Sequence, residues 1–346
     1  MFYMRLVLSV AMVVVIACNV ACTKGDGPRS LQTEAPIDLD LLAFHTIALD
    51  EAFDAQDVRI VDRRIYVLDA KSRYVNVFDS GGDFVRSIGS PGSGPGELER
   101  PVSIAVLGST LFVCERSGRV SVFDTSGTYS HSFAALGVRH MNSNIVAVSD
   151  SVLLIGGYRE VRGDPYAGAV AHLYKTDGTK LRELMNMTPV ARAVRSSLIV
   201  GARCDQGTDG VIWCCQAMDY VLRVFRGFSR VDSIIVEPAN YKRATQRQPE
   251  NIRTVEGLEW INSFDKVNSV YSANDSLIVA ERFHAGRKPV TVIDVVDKRT
   301  GRVLRSHSFR GRLVDVDEAN EEVYFRPPPA NEEFEHLAIA SLQDLL

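Results

Sequence analysis

The residues of this chain that could do chemistry are seven histidines, six cysteines and an unusual excess of arginine. The histidines are His45, His131, His140, His172, His284, His307 and His336. None falls in an H-x-H or H-E-x-x-H spacing, which would aim two imidazoles at one metal. His45, His131, His172 and His307 lie in alternating apolar segments and read as structural. His140 and His284 fall in polar loops, and a metal-assisted lyase or hydrolase, the alternative to a binding role, would have to be built on them. No metal site and no cofactor is assigned. No G-x-S-x-G elbow and no P-loop occurs. Residues 89–101 (GSPGSGPGELERP) are glycine-rich but lack the closing Lys-Ser/Thr and the following helix that a phosphate loop needs.

The arginines carry a second kind of chemistry. Basic residues total 39, but only 8 are lysine. A planar guanidinium grips carboxylate or phosphate through two parallel hydrogen bonds, which an ammonium cannot do. Net charge is −4, which excludes a nucleic-acid coat or a polybasic membrane binder. Arg100, Arg139, His140, Arg195, Asp265 and Arg312 each stand just before an apolar alternating segment. These six residues, with His284 and with Trp260 from the long loop 237–266, form the candidate ligand-binding set. The expected ligand is an anionic small molecule, a peptide or a protein partner.

Such residues must be held by a frame, and the frame repeats. Residues 65–89 (IYVLDAKSRYVNVFDSGGDFVRSIG) and 111–134 (LFVCERSGRVSVFDTSGTYSHSFA) align on Phe78 and Phe123. Both give an apolar strand, a polar turn, V-x-V-F-D, a Ser-Gly turn and another strand of period two. The pattern decays through Tyr174, Phe225, Val296 and Ile339. A pair of apolar segments precedes each anchor, so each unit holds about four strands. Six such units predict an all-β fold, a six-bladed β-propeller of four-stranded antiparallel blades over residues 41–346. A seventh blade would have to hide in 240–266, which alternates poorly. The last unit stops one strand short. Residues 43–49 (AFHTIAL) precede the first unit and can supply the missing strand, closing the ring and hiding a sheet edge. A monomer is expected.

The stretch DAKSRYVNVFDSGGDFVRSIG resembles an NHL-type repeat, and residues 89–101 resemble the inter-blade loop of such propellers. The likeness is clear over 55–136. It implies kinship with six-bladed, NHL-like lipoproteins of bacteria.

The first residues read as an address. Arg5 supplies a positive n-region, and residues 6–17 (LVLSVAMVVVIA) are apolar but shorter than the roughly 20 residues that span a bilayer. Val15-Ile16-Ala17-Cys18 resembles the bacterial lipobox; Asn19-Val20-Ala21-Cys22 matches less well because Asn stands where the lipobox has an aliphatic residue. The resemblance implies a signal peptide over 1–17, lipidation of Cys18 and a flexible tether over 18–40. With Asn19 following the lipid, it also implies the outer membrane, facing the periplasm. Export permits disulfides. Cys204 and Cys214-Cys215 flank DQGTDGVIW. A turn centred on Asp209-Gly210 sets Cys204 opposite Cys215, a slip of the turn chooses Cys214, and a vicinal Cys214–Cys215 bond and free thiols remain open.

Overall fold

Strands that are apolar at every position need cover on both faces, and the chain supplies it by stacking sheets side by side. The computed structural model describes residues 37–39, 44–52, 54–135, 138–139, 144–159, 168–194, 201–245, 249, 254–286, 290–328 and 335–346. Among them the strands form six blades of four antiparallel strands each, one of which takes a short fifth strand in parallel on its outer edge, and a separate two-stranded ribbon. Among the described residues helix is confined to Pro189–Val194, Val255–Ile261 and a closing 3-10 turn, Leu342–Leu345.

Each sheet is one blade. Blade 1 runs outward through Ala55–Val61, Arg64–Asp69, Tyr74–Asp79 and Phe84–Ile88. The other inner strands are Pro101–Leu107, Ile145–Ser149, Ala202–Gln206, Lys266–Ser272 and Arg312–Asp317, and neighbouring inner strands touch in that order around the ring. Second strands such as Val152–Gly156 and Ile212–Gln216 are buried throughout, because a blade lies on each side of them. Outer strands such as Ser229–Ile235 are mostly exposed.

The apolar core is therefore divided between blade junctions. Leu68, Val75, Ile104 and Phe123 pack between blades 1 and 2. Leu154, Leu173, Cys204 and Phe225 pack between blades 3 and 4. Leu49, Phe78, Tyr324 and Leu337 close the junction of blades 6 and 1. Full burial of one such side chain is worth about 1.5–3 kcal/mol, so each junction is a substantial hydrophobic contact.

The ring closes as the sequence predicts. His45–Leu49 pairs antiparallel with Glu335–Ser341 and forms the outer strand of the last blade. Two residues of the segment read as tether, Ile37 and Asp38, pair in parallel with His307 and Ser308 on the outer edge of blade 5, so hydrogen-bonded structure begins inside that segment.

The turn between third and fourth strands explains the repeated F-D-x-x-G. In blade 1, Asp79 Oδ1 accepts the N–H groups of Gly81 (2.9 Å) and Asp83 (3.1 Å). Gly82 has φ +92°, and a Cβ there would stand 2.5 Å from the carbonyl oxygen of Ala48. Only glycine fits both the backbone angle and the closing strand beside it.

The cysteine pairing follows the same face rule. The structure bonds Cys204 to Cys214, not to Cys215. Gln206 pairs with Ile212 and Cys204 with Cys214, so the hairpin is centred on Asp209 alone rather than between Asp209 and Gly210. Cys214 faces the blade 3 side with Cys204, whereas Cys215 faces blade 5 and stays a buried free thiol.

Candidate ligand-binding channel

An inner strand has a partner on one edge only, and its other edge faces the ring axis. The unpaired N–H groups there must be satisfied. At every junction a side chain of one blade accepts a backbone N–H of the next inner strand. Asp57 Oδ2 accepts from Ile104 (2.9 Å), Ser103 Oγ from Ile145 (3.2 Å) and Asn144 Oδ1 from Cys204 (3.1 Å). Asp205 Oδ2 accepts from Ser272 (2.8 Å), Glu281 Oε1 from Leu313 (3.1 Å) and Asp315 Oδ2 from Ile60 (2.7 Å). This belt pins adjacent blades together and brings carboxylates to the axis.

Those carboxylates are partly neutralised by arginine. Arg59 Nη1 lies 3.1 Å from Asp57 and 3.8 Å from Asp315. Burial opposes its charge, but Asp57, Tyr271 and Asp315 outweigh burial and hold its pKa above the ordinary arginine value. Burial pushes the Asp315 carboxyl up to about 7, against the pull of Arg59. It pushes Asp205 up to about 6, against the Ser272 N–H and Arg59.

A cavity of about 620 Å³ lies among the inner strands, and six cations but only two carboxylates line it. The cations are Arg59, Arg116, Arg203, Lys266, Arg312 and Arg326. Arg326 Nε meets Glu335 at 3.3 Å. Arg312 uses Nε on Glu281 at 3.1 Å and lies 5.6 Å from the Phe283 ring centroid. Lys266 donates to the carbonyl oxygen of Ile261, and burial lowers its pKa. Arg116 is exposed. Arg203 is different. It is half-buried, and among the described residues its side chain has no hydrogen bond or ion pair. Burial, with Arg312 as the next contributor, lowers its pKa to about 10. It is still charged at neutral pH, so it is a half-desolvated cation with no ion-pair partner among the described residues.

Of the candidate set, the structure brings Arg312 to this cavity. Arg100 is exposed and lies outside the lining; its carbonyl oxygen accepts the N–H of Arg116 (2.9 Å). Arg139 pairs with Tyr158 in a two-stranded ribbon, and its side chain is outside the described residues, as are His140 and Arg195. Trp260 is not the exposed contact expected of it. It is 5% exposed and packs edge-on to Phe264, 5.2 Å between centroids, so it fixes the helix Val255–Ile261 to the rim. Ile261 of that helix does line the cavity.

Asp265 and His284 are corrected as channel residues for a similar reason. Asp265 is fully buried, 3.0 Å from Arg282, whose Nε meets Asp294 at 2.6 Å. His284 Nδ1 lies 3.1 Å from the same Asp265 oxygen. Neither lines the cavity. The group is an ion network that neutralises a buried guanidinium within blade 5 and the loop before it. Among the described residues no three His, Cys, Asp or Glu converge to hold a metal ion.

Sequence reasoning missed Arg59, Arg203 and Lys266 because they sit inside strands or at their first residue. A signal was present: D-V-R at 57–59 and R-C-D at 203–205 put opposite charges two apart, on one face of a strand. In blade 4 the apolar run 197–202 drew the strand assignment, but the observed inner strand is Ala202–Gln206.

Comparison with known proteins agrees with this architecture. A profile of the DUF5128 family, described as a 6-bladed beta-propeller, matches residues 52–132. The chain is a six-bladed β-propeller. A DUF4221 family member from Bacteroides vulgatus superposes with a TM-score of 0.63 at 10% identity, over 89% of this chain and 97% of that one. A Bacteroides fragilis protein described as exported gives 0.59 at 12% identity, over 86% and 94%. A gluconolactonase from Xanthomonas campestris gives 0.55 at 12% identity, over 88% and 94%. At such identities the likeness is one of fold alone. No curated protein matches the chain.

Proposed function

We propose that this propeller is a binding or scaffold module of the bacterial cell envelope, held to the membrane by a lipid on Cys18, and that its channel mouth takes an anionic ligand. The observation that carries the reading is Arg203, a half-buried guanidinium in a cavity, without an ion pair among the described residues. A bound anion would complete it at little cost in reorganisation. The basic lining stands against a chain of net charge −4, so the cation excess is local to the channel. The lipobox-like Val15-Ile16-Ala17-Cys18 supports the anchor, and a structural neighbour described as exported agrees with an envelope address. A metal-assisted lyase or hydrolase is less well supported, because among the described residues the donors for a metal do not converge.

Two experiments test the reading. In a thermal-shift screen of anionic, neutral and cationic small molecules, stabilisation is expected from anions only. It should fade as sodium chloride is added and vanish in Arg203→Ala/Arg312→Ala. Equal stabilisation by neutral compounds, or an unchanged response in the double variant, refutes channel binding. Metabolic labelling with a radioactive fatty acid should mark the wild type and not Cys18→Ala; label retained in that variant moves the anchor elsewhere.

A further inference from the structure

We infer that the anion is an organic monocarboxylate with a compact apolar body, its head held between Arg203 and Arg312; this rests on the reading that the channel binds an anion. The number of charges comes from accounting for each cation. Arg59 is matched by Asp57 and Asp315, Arg326 by Glu335 and Arg312 by Glu281. The Lys266 ammonium donates to the Ile261 carbonyl, which carries no negative charge, and Arg116 stands in solvent. Arg203, half-buried, is the guanidinium left without an ion pair or side-chain hydrogen bond among the described residues, and one carboxylate would supply both. A dianion would meet Asp57 and Glu281, both of which already act on Arg203.

The donors that could hold the head are also identifiable. Arg312 spends Nε on Glu281, and its two terminal nitrogens make no hydrogen bond among the described residues. Arg203 offers its whole fork, and Arg312 is the charged side chain that acts most strongly on it. Two guanidinium groups that repel each other, with free N–H donors facing one cavity, are drawn together by a carboxylate between them. The rest of the wall fixes the body of the ligand. Val102, Ile261 and Phe283, each half-buried, give part of the same cavity an apolar lining. A volume of about 620 Å³ is that of a small-molecule pocket, too large for an inorganic ion alone. A charged head with an apolar tail matches both parts of the wall.

Isothermal titration of the folded protein with benzoate, hexanoate, acetate, phenyl phosphate and inorganic phosphate tests this. Benzoate or hexanoate is expected to bind at least tenfold more tightly than acetate or either phosphate. Arg203→Met should weaken that binding at least tenfold while leaving the melting temperature equal or higher, so that the loss is not one of folding. Arg203→Lys should recover only part of it, since an ammonium lacks the fork. If phenyl phosphate binds more tightly than benzoate, the carboxylate class is overturned and the anion site stands. If benzoate binds Arg203→Met as well as it binds the wild type, the assignment to Arg203 is overturned. If no probe binds folded wild-type protein, the inference and the channel-binding reading both fall.

Discussion

Replacing Arg203 by methionine should make the ligand-free protein more stable. The guanidinium is half-buried and without an ion pair among the described residues, and burial, with Arg312 next, lowers its pKa to about 10. For a base, a lowered folded-state pKa means that the folded protein holds the charged form less well than the unfolded chain does. At pH 7 both states carry the charge, so the cost is present in full; it disappears only as pH rises through about 10 toward the unfolded value. A shift of this size corresponds to roughly 3 kcal/mol at about 1.4 kcal/mol per unit. The cavity admits water, which screens the charge, so about 1–2 kcal/mol is the working expectation. Methionine keeps the apolar stem and tolerates an irregular site, so little packing is lost. In urea unfolding at pH 7, followed by tryptophan fluorescence, the midpoint should rise by about 0.5 M for an m-value near 3 kcal/mol/M. An unchanged m-value shows that the gain is one of stability. A lower midpoint would refute the reasoning, since it would mean that Arg203 is already compensated in the free protein. Saturating benzoate should reverse the order, because it stabilises the wild type and not the variant.

Burial raises the carboxyls of Asp315 to about 7 and Asp205 to about 6, so between about pH 4 and 7 the folded protein binds more protons than the unfolded chain and their contribution to stability falls as pH rises. Scanning calorimetry should therefore show a smaller loss of melting temperature from pH 5 to 8 in Asp315→Asn than in the wild type; an equal or larger loss counts against it. The Cys204–Cys214 bond closes a loop with a sequence separation of 10 and should contribute about 2–3 kcal/mol. Cys214→Ala should lower the unfolding midpoint and abolish its sensitivity to reductant, whereas Cys215→Ala should keep that sensitivity. Leu49, fully buried in the closing strand, should cost about 2–5 kcal/mol when changed to alanine, while exposed Val231→Ala on an outer strand should change stability by less than about 0.5 kcal/mol. Equal midpoints for those two variants would mean that the closing strand does not hold the ring.

Some of this fold is visible in the residues because the forces that shape it are local. The F-D-x-x-G turns are read directly: Asp79 must accept its own turn N–H groups, and Gly82 must take a positive φ. The closing strand is also legible, since a sheet that lacks its fourth strand leaves an edge that only residues 43–49 can cover. The candidate site was legible in part. Arg312 was found because the alternation starts at Leu313, which leaves Arg312 to be read as the last residue of the loop before an inner strand. Arg203 escaped because the apolar run 197–202 was read as the inner strand, which left Arg203 just past its end, whereas the strand is Ala202–Gln206.

By itself the sequence determined the strand period, the number of units and the way the two ends meet, because hydrophobic alternation and turn chemistry act over a few residues. Only the tertiary structure decided which charges converge. Arg59, Arg203 and Arg312 come from blades 1, 4 and 6, far apart in the chain, and they meet because six inner strands point one unpaired edge at a common axis. It also decided that Cys204 takes Cys214, because a shift of one residue in the hairpin changes the face on which every side chain stands. The same ring buried Trp260 and Asp265, since a polar loop is exposed only where no neighbouring blade or helix packs on it.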